Sequence, residues 1–328
     1  GRGGTRLWAI VGCAILAFII STPGSVLRTQ EFLHGLTYEM RHASQGHGLV
    51  FAGTGNGFAY TFTSSLSDGL GPFAFVAAIA VVWVLLGRRR CGIAILAFAL
   101  PYYALISLSQ VRFARYSLPL FPAVALLLGY LAWVCYSGLT QKRLWWVRFI
   151  VVGLWALMML WTFASVRLLL LPFGKTPPQD RAAMWILDNV PKGSSIGFID
   201  YPWFYSPPLS KQFGFGTVQQ REEGVRTTPY AITIFSEDTK PGTWWTEGRR
   251  PQWVIVSDYE VGDAIRLEAS HSISESDRER VRHILTDLRI VEKHYRAHPR
   301  SPRGKIPSGF PHDMRYTSPT IGIFEIKK

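Results

Sequence analysis

The chain has 328 residues, of which 48% are apolar and 14% aromatic, and its formal net charge is +13. The charge is uneven, because residues 1–172 carry 13 Lys and Arg against three acidic residues, whereas residues 173–328 carry 22 against 19. Most of the excess positive charge flanks long apolar runs. This pattern is typical of membrane topology and argues against a nucleic-acid-binding protein.

Three cysteines, Cys13, Cys91 and Cys135, all lie within apolar runs. None belongs to a CxxC pair, so the sequence predicts neither a disulfide framework nor a thiolate zinc site. We expect all three to be buried as small apolar side chains.

A membrane-spanning helix needs about 20 mostly apolar residues. Five runs approach this length: residues 7–22, 70–86, 91–108, 117–137 and 144–171. The first is short and could instead be a signal peptide. The last contains Arg148 and Arg167 near its ends and could instead form a hairpin of two shorter elements. The sequence thus predicts a multi-span α-helical membrane domain over residues 1–172.

Positive charge predicts the direction of insertion, since cytoplasmic segments carry an excess of Lys and Arg. Seven such residues occupy one set of span ends: Arg2, Arg6, Arg88, Arg89, Arg90, Lys142 and Arg143. We therefore expect the N-terminus of this chain in the cytoplasm and a multi-pass protein of the cell (inner) membrane. The loop 23–69, the turn before residue 117 and the soluble part 173–328 are then extracytoplasmic.

Arg112 and Arg115 lie on the outward side, where topology gives no reason for arginine. One interpretation is that both side chains snorkel to lipid head groups. The other is an anion site that includes Tyr116, because the guanidinium fork suits phosphate. Pro119 and Pro122 distort the first turn of the following helix, which could leave backbone groups to line a cavity.

The outward loop 23–69 contains apolar residues at helical spacing: Phe32, Leu33, Leu36 and Met40. They predict an amphipathic helix at the membrane interface or against neighbouring spans. A candidate metal cluster consists of His34, Glu39, His42 and His47, but their spacing is not that of HExxH, which favours structural or interfacial histidines.

The end of the same loop carries two further patterns. Residues 53–57, GTGNG, lack the preceding strand and the GK[ST] ending of a phosphate-binding loop, so they predict a turn. Phe58, Tyr60 and Phe62 alternate as in a short strand or a re-entrant segment.

Residues 173–328 alternate between helix and strand patterns, which predicts a small α/β domain. Strands are expected at 196–199, 251–258, 290–295 and 320–328, and a helix at 274–288. Asp200, Tyr201 and Trp203 follow the first strand. Aromatic rings beside a carboxylate suit a sugar or acceptor, and they equally suit a contact between the domain and a membrane.

Several segments resemble the later part of the C-type (GT-C) integral-membrane glycosyltransferases, above all the bacterial relatives of dolichyl-phosphate-mannose protein mannosyltransferases and of aminoarabinose transferases. They are EFLHGLTYEMRHASQGHG, FAYTFTSSLSDGLGPFAFVAAIAVVWVLLGRRR, YYALISLSQVRFARYSLPLFPAVALLLG and DRAAMWILDNVPKGSSI. The stretch RFARYSLPLFP is the most specific, since that family has an R-Y-x-L-P-x-x-P pattern on its outer face.

The resemblance implies a transferase that takes a sugar from a polyprenyl-phosphate donor at the outer membrane face and passes it to a lipid, glycan or protein acceptor. Arg112, Arg115 and Tyr116 match the donor-phosphate motif, and Glu39, His42 and His47 match a family-like loop without an assigned role. In the family an acidic residue acts as base or metal partner, which leaves a divalent metal ion open as a cofactor.

This sequence departs from the family in its carboxylates, which the family places in the first outer loop. The outward acids of the membrane half are Glu31, Glu39 and Asp68, without an acidic pair. Together with the GRGG start, this leads us to expect that several N-terminal spans are missing. The alternative is a non-catalytic membrane protein with an exported ligand-binding or sensor domain. A transporter is disfavoured because the spans contain few charges.

Overall fold

The computed structural model describes residues 2–46, 48–141, 146–304 and 312–327. The chain divides into two compact units, Gly1–His47 with Ser109–Val111, and Gly48–Leu108 with Arg112–Lys328. The domain boundary that the sequence predicts at residue 172 stays a prediction. It lies inside the second unit, between the helices Val147–Leu170 and Pro178–Asn189.

The first unit is helical: α1 Arg2–Ser21, α2 Gly24–Leu27 and α3 Thr29–Gln45. The apolar part of α1, Trp8–Ser21, is shorter than the length that crosses a bilayer. The helix predicted in the outward loop is confirmed as α3, and none of its residues is buried. The main-chain N–H of Gln110 donates to the carbonyl oxygen of Ala43 over 2.8 Å, which joins the two parts of this unit.

The second unit begins with its apolar helices: α4 Gly57–Tyr60, α5 Ser67–Leu70, α6 Pro72–Leu86, α7 Arg90–Leu108, α8 Leu120–Gln141 and α9 Val147–Leu170. A π-helical segment, Thr61–Leu66, separates α4 from α5. Three stretches are long and apolar enough to cross a membrane: Arg90–Leu108, Leu120–Ser137 and Arg148–Leu168. They match the last three predicted spans, and α9 is one helix rather than a hairpin. The second predicted span corresponds to α6, which is shorter.

The strand expected at Phe58, Tyr60 and Phe62 is wrong, because these residues lie in helical turns, whereas the alternative of a re-entrant segment stays a prediction. Asn56 explains the difference, since its side-chain oxygen accepts the N–H groups of Phe58 and Ala59 and starts α4. The preceding GTGNG segment is a turn at Gly53 and irregular up to Asn56, and α4 begins at its last residue, Gly57.

The three cysteines are exposed on their helices, so the expectation that they are buried is wrong. The membrane-length helices have few described neighbours, and at most 22% of any membrane-length stretch is buried. An apolar helical run predicts a non-aqueous surrounding, but it does not distinguish lipid from protein.

The remainder of the second unit contains a five-stranded mixed sheet with helices. The helices are α10 Pro178–Asn189, α11 Val218–Arg226, α12 Thr243–Thr246, α13 Asp258–Leu267 and α14 Glu275–His294. The strands are β1 Ser195–Phe198, β2 Ala231–Ile234, β3 Trp253–Ser257, β4 Tyr295–Ala297 and β5 Ile321–Ile326, in the order β2-β1-β3-β5-β4. β1 runs parallel to β2 and β3, and β5 runs antiparallel to β3 and β4.

The two faces of this sheet are covered by different helices. Alternate residues of β3 separate them, because Val254 and Val256 pack with α13 and α14 whereas Ile255 packs with α10. The short helix α12 adds Trp244 to the layer of α13 and α14, and α11 adds Val225 to the layer of α10.

The strand predicted at 290–295 is wrong over most of its length, because α14 continues to His294 and β4 begins at Tyr295. Leu288 and Val291 extend the buried stripe of α14, so packing of that stripe overrides the β-branched residues of the segment. The sequence analysis also missed β2, whose first residue is exposed.

The carboxyl ends of the parallel strands β1, β2 and β3 lie at the same edge of the sheet, which we call the carboxyl edge. In open α/β sheets, loops at this edge carry the ligand-binding residues. The antiparallel strand β5 starts at this edge, and Asp313, which precedes it, accepts the main-chain N–H of Ala114 between two of the membrane-length helices.

Candidate functional site

A short turn joins two of the membrane-length helices. α7 ends at Leu108, α8 begins at Leu120, and Ala114–Ser117 forms a 3-10 turn between them. Because both helices are long enough to cross a bilayer, the turn between them lies at one membrane surface if they do so. This turn contains the predicted phosphate-binding residues.

Arg112 is half-buried and holds the neighbouring glycine-rich segment. Its Nη1 donates to Thr54 Oγ1 over 2.8 Å and to the carbonyl oxygen of Gly55 over 2.9 Å. Its Cζ lies 5.8 Å from the centroid of the Tyr60 ring. Burial lowers the pKa of Arg112. The main work of this side chain is therefore to fix the start of α4 against the turn.

Arg115 is exposed, in contrast to Arg112. Its Cζ lies 4.0 Å from the centroid of Phe113 and 5.6 Å from that of Tyr116. The carbonyl oxygen of Tyr116 accepts the Tyr102 hydroxyl over 3.0 Å, which ties the turn to α7. Within the described parts of the chain, no carboxylate forms an ion pair with Arg115. The turn thus presents a guanidinium supported on two rings.

Two carboxyl groups lie beside this turn. Asp313 is buried, and its Oδ2 accepts the main-chain N–H of Ala114 over 3.2 Å. Burial, with a further contribution from Asp313, raises the pKa of Asp68 to about 6. Burial and then Asp313 also raise the pKa of Tyr60, whereas Arg112 opposes that shift. The negative charge of Asp313 therefore contributes to the raised pKa of Asp68.

Asp313 was missed by the sequence analysis, and no sequence signal could have found it. It lies 199 residues from Ala114 in a loop rich in Pro, Arg and Gly, and only the fold brings the two together. Asp68 was noted as an outward acid but without a partner.

Glu39 and His42 lie on α3 in the first compact unit, whereas the arginine turn belongs to the second. Glu39 is exposed, and the His42 ring stacks on that of Tyr38 with centroids 6.2 Å apart. His47 lies outside the described residues. No group of three or more His, Cys, Asp or Glu that could hold a metal ion occurs among the residues described.

Asp200 lies at the carboxyl edge, and its carboxylate accepts three hydrogen bonds, one of them from the main-chain N–H of Tyr201 over 2.8 Å. Its Oδ2 accepts Arg280 Nη2 over 2.8 Å, and its Oδ1 accepts the Ser236 hydroxyl over 2.8 Å. The Glu260 carboxylate, at the start of α13, accepts the main-chain N–H of Asp200. Burial first, and then the Asp200 charge, raise the pKa of Glu260 to about 8. Asp200 is thus part of a closely packed acidic pair.

Tyr201 and Trp203 face a cation rather than the Asp200 carboxylate. The Cζ of Arg221, on α11, lies 4.4 Å from the Trp203 ring centroid and 5.9 Å from that of Tyr201. Of the three residues predicted to contact a sugar, Tyr201 and Trp203 therefore share Arg221, whereas the Asp200 carboxylate binds Arg280 and Ser236.

Two cavities bear on function. One, of about 240 Å³, lies between α6, α7 and α8 and is lined by apolar residues from Phe62 to Leu127, including Leu120 at the start of α8. The other, of about 590 Å³, lies beside the edge strand β2 and is lined by polar groups that include Thr233, Asp238 and Arg249.

Comparison of the chain with protein-family models, curated proteins and solved structures gives no match. Its function must therefore be inferred from the chemistry of these residues.

Proposed function

We propose that this chain is the donor-binding part of a membrane glycosyltransferase that takes a hexose or pentose from a polyprenyl-phosphate carrier at the outer membrane face. One observation carries the proposal: Arg115 presents an exposed guanidinium, supported by Phe113 and Tyr116, at the end of two membrane-length helices. Lipid phosphates lie at that level of a bilayer, and guanidinium binds phosphate through paired charge-assisted hydrogen bonds.

Arg112 and Arg115 have different roles in this proposal. Arg112 positions the site, because it is bonded to Thr54 and Gly55. Arg115 binds the donor phosphate. When the bond from the sugar to the phosphate oxygen breaks, negative charge grows on the phosphate, and a fixed guanidinium stabilises that charge.

Two carboxyl groups from other segments, Asp68 and Asp313, can accept a proton from the acceptor hydroxyl. A general base works best when its pKa lies near the working pH, and the pKa of Asp68 is raised to about 6. Asp313 accepts the main-chain N–H of Ala114, next to Arg115, and thereby holds the turn that carries this guanidinium. We assign the base to this pair, and Asp313→Asn is expected to slow transfer while leaving donor binding in place.

The proposed topology extends the three membrane-length helices to five spans by adding α1 and α6. The N-terminus is cytoplasmic, and the mixed sheet with its helices is extracytoplasmic. The apolar cavity of about 240 Å³ between α6, α7 and α8 reaches Leu120, close to the turn. It fits the first isoprene units of a polyprenyl chain whose phosphate lies at Arg115. The acceptor is a lipid, a glycan or a protein.

The proposal is tested by the release of polyprenyl phosphate from polyprenyl-phosphate hexoses and pentoses by membranes that contain the protein. Arg115→Ala is expected to lower the rate by about 100-fold or more, the usual effect of removing one preorganised donor. Arg89→Ala is the matched control, since Arg89 also lies over an aromatic ring, Trp83, but between α6 and α7 at their other ends. Equal rates in wild type and Arg115→Ala would refute the phosphate role.

A second function, ligand binding without catalysis, is favoured by the polar cavity of about 590 Å³ beside β2. In that case a sugar or small anion raises the melting temperature of the protein, and Thr233→Trp, which fills the cavity, removes the effect. Arg115→Ala leaves this binding unchanged.

A further inference from the structure

We propose that an apolar tip of the soluble part, formed by Trp203, Phe215 and Val218, inserts into the lipid surface at the membrane face that carries the arginine turn. This inference rests on the membrane insertion contained in the proposed function, but not on sugar transfer.

The three side chains are large, apolar and exposed, with 41%, 47% and 59% of their surfaces accessible. They belong to one patch. Gly214 has φ +80°, in the left-handed region that favours glycine. A Cβ at this position would lie 2.6 Å from the carbonyl oxygen of Trp203, so the backbone next to Phe215 packs on that of Trp203. Val218 precedes Arg221 by one helical turn, and Arg221 lies over the Trp203 ring.

The patch lies at the carboxyl edge of the sheet. Trp203 follows β1 in the loop that Asp200 fixes through Arg280. α11 starts at Val218 and returns towards the beginning of β2, so its first turn lies at the same edge.

Contacts within the second unit place this edge next to the membrane-length helices. Arg266, on α13, donates to the carbonyl oxygens of Leu49 over 3.1 Å and Ala52 over 2.9 Å. That segment continues to Thr54, which Arg112 holds at the turn. Asp313, which precedes β5, binds the backbone of Ala114 in the turn itself. The apolar tip is therefore carried at the level of the membrane surface.

The composition of the patch favours lipid over a sugar. A sugar site needs polar groups that point at the ligand, but the carboxylate predicted to contact a sugar, Asp200, is bonded to Ser236 and Arg280. Trp with an adjacent Arg is instead the combination found in the interfacial belt, where the ring enters the head-group region and the cation remains at phosphate level. The membrane is also held close by covalent linkage, because α9 precedes this part in the chain.

The test is fluorescence quenching by lipids that carry a nitroxide near the head group. The three native cysteines are replaced by Ala, a single Cys is introduced and labelled with a small fluorophore, and the full chain is reconstituted in nanodiscs. With Phe215→Cys we expect at least twofold quenching by the lipid and weak quenching by aqueous iodide. Leu187→Cys is the matched control, an exposed apolar site near the end of α10, towards the opposite edge of the sheet.

A label at Leu157, on the exposed surface of α9, reports insertion itself. Because residue 157 lies near the middle of the stretch Arg148–Leu168, this label is read with lipids that carry the nitroxide in the middle of the acyl chain. Quenching at residue 157 with residue 215 behaving as residue 187 would overturn the docking proposal and leave the transferase untouched. No quenching at residue 157 would overturn both the membrane premise and the docking. Loss of transfer in Arg115→Ala is a separate result that neither outcome changes.

Discussion

Glu260 offers a direct test of the electrostatics at the carboxyl edge. Its carboxyl group is enclosed between the main-chain N–H groups of Asp200 and Ser257, with the Asp200 carboxylate as a neighbour. The change Glu260→Gln keeps one oxygen, which can still accept the Asp200 N–H, but it replaces the second oxygen with an amide NH2 group and removes the ionisation. We expect it to remove the steepest part of the pH dependence of stability in this region.

The sign follows from proton binding. Burial, and then Asp200, raise the pKa of Glu260 from an ordinary 4.5 to about 8 in the folded protein. Between these two values the folded state keeps the proton and the unfolded state does not, so stability is lost as the pH rises. Each pKa unit corresponds to about 1.4 kcal/mol, which gives on the order of 5 kcal/mol across the window.

The assay is thermal unfolding of the purified full chain in detergent from pH 4.5 to 9. A free-energy change of this size shifts the melting temperature of a unit of this size by about 10 °C or more. The wild type should melt progressively lower above pH 5, and Glu260→Gln should follow a flatter profile. The matched control is Glu292→Gln, since Glu292 is an exposed residue of α14. Parallel profiles for wild type and Glu260→Gln would refute the reasoning.

Two further changes test the packing. Asp287→Ala should lower the free energy of unfolding by about 3 kcal/mol or more, measured by denaturant titration, because the buried carboxylate accepts the Trp244 indole N–H and a main-chain N–H; unchanged stability would show that these donors find other partners. Gly57→Ala should cost about 1–3 kcal/mol, since its Cβ would lie 1.9 Å from the Ser107 carbonyl oxygen. Gly153→Ala is the control, since a Cβ there would meet no atom within 4 Å. Equal melting temperatures for Gly57→Ala and wild type would contradict the close packing of Gly57 on Ser107.

The membrane-length helices and three strands could be predicted because their signals are local. α7, α8 and α9 follow from the length and apolarity of their runs, and β1, β3 and β5 from short buried runs bounded by turn residues. A hydropathy pattern does not tell which surface covers a helix, and this is why Cys13, Cys91 and Cys135 were placed inside the protein but are exposed.

The composition of the site could be predicted only in part, because half of it depends on distant pairing. Arg115 and Tyr116 are adjacent in sequence and stay together in the structure. Asp313 reaches the turn from the far end of the chain, in the segment before β5, which pairs with β3. Arg112 looks equivalent to Arg115 in the sequence, and only its bonds to Thr54 and Gly55 distinguish the two.

The central claim is that the arginine turn binds a lipid phosphate, and native mass spectrometry of the purified full chain tests it most directly. The protein is mixed with a polyprenyl phosphate or with the polyprenol that lacks the phosphate. The account predicts that wild type retains the polyprenyl phosphate, that Arg89→Ala does the same, and that Arg115→Ala loses it. Equal retention of the phosphate and the alcohol, or an unchanged adduct in Arg115→Ala, would contradict the claim.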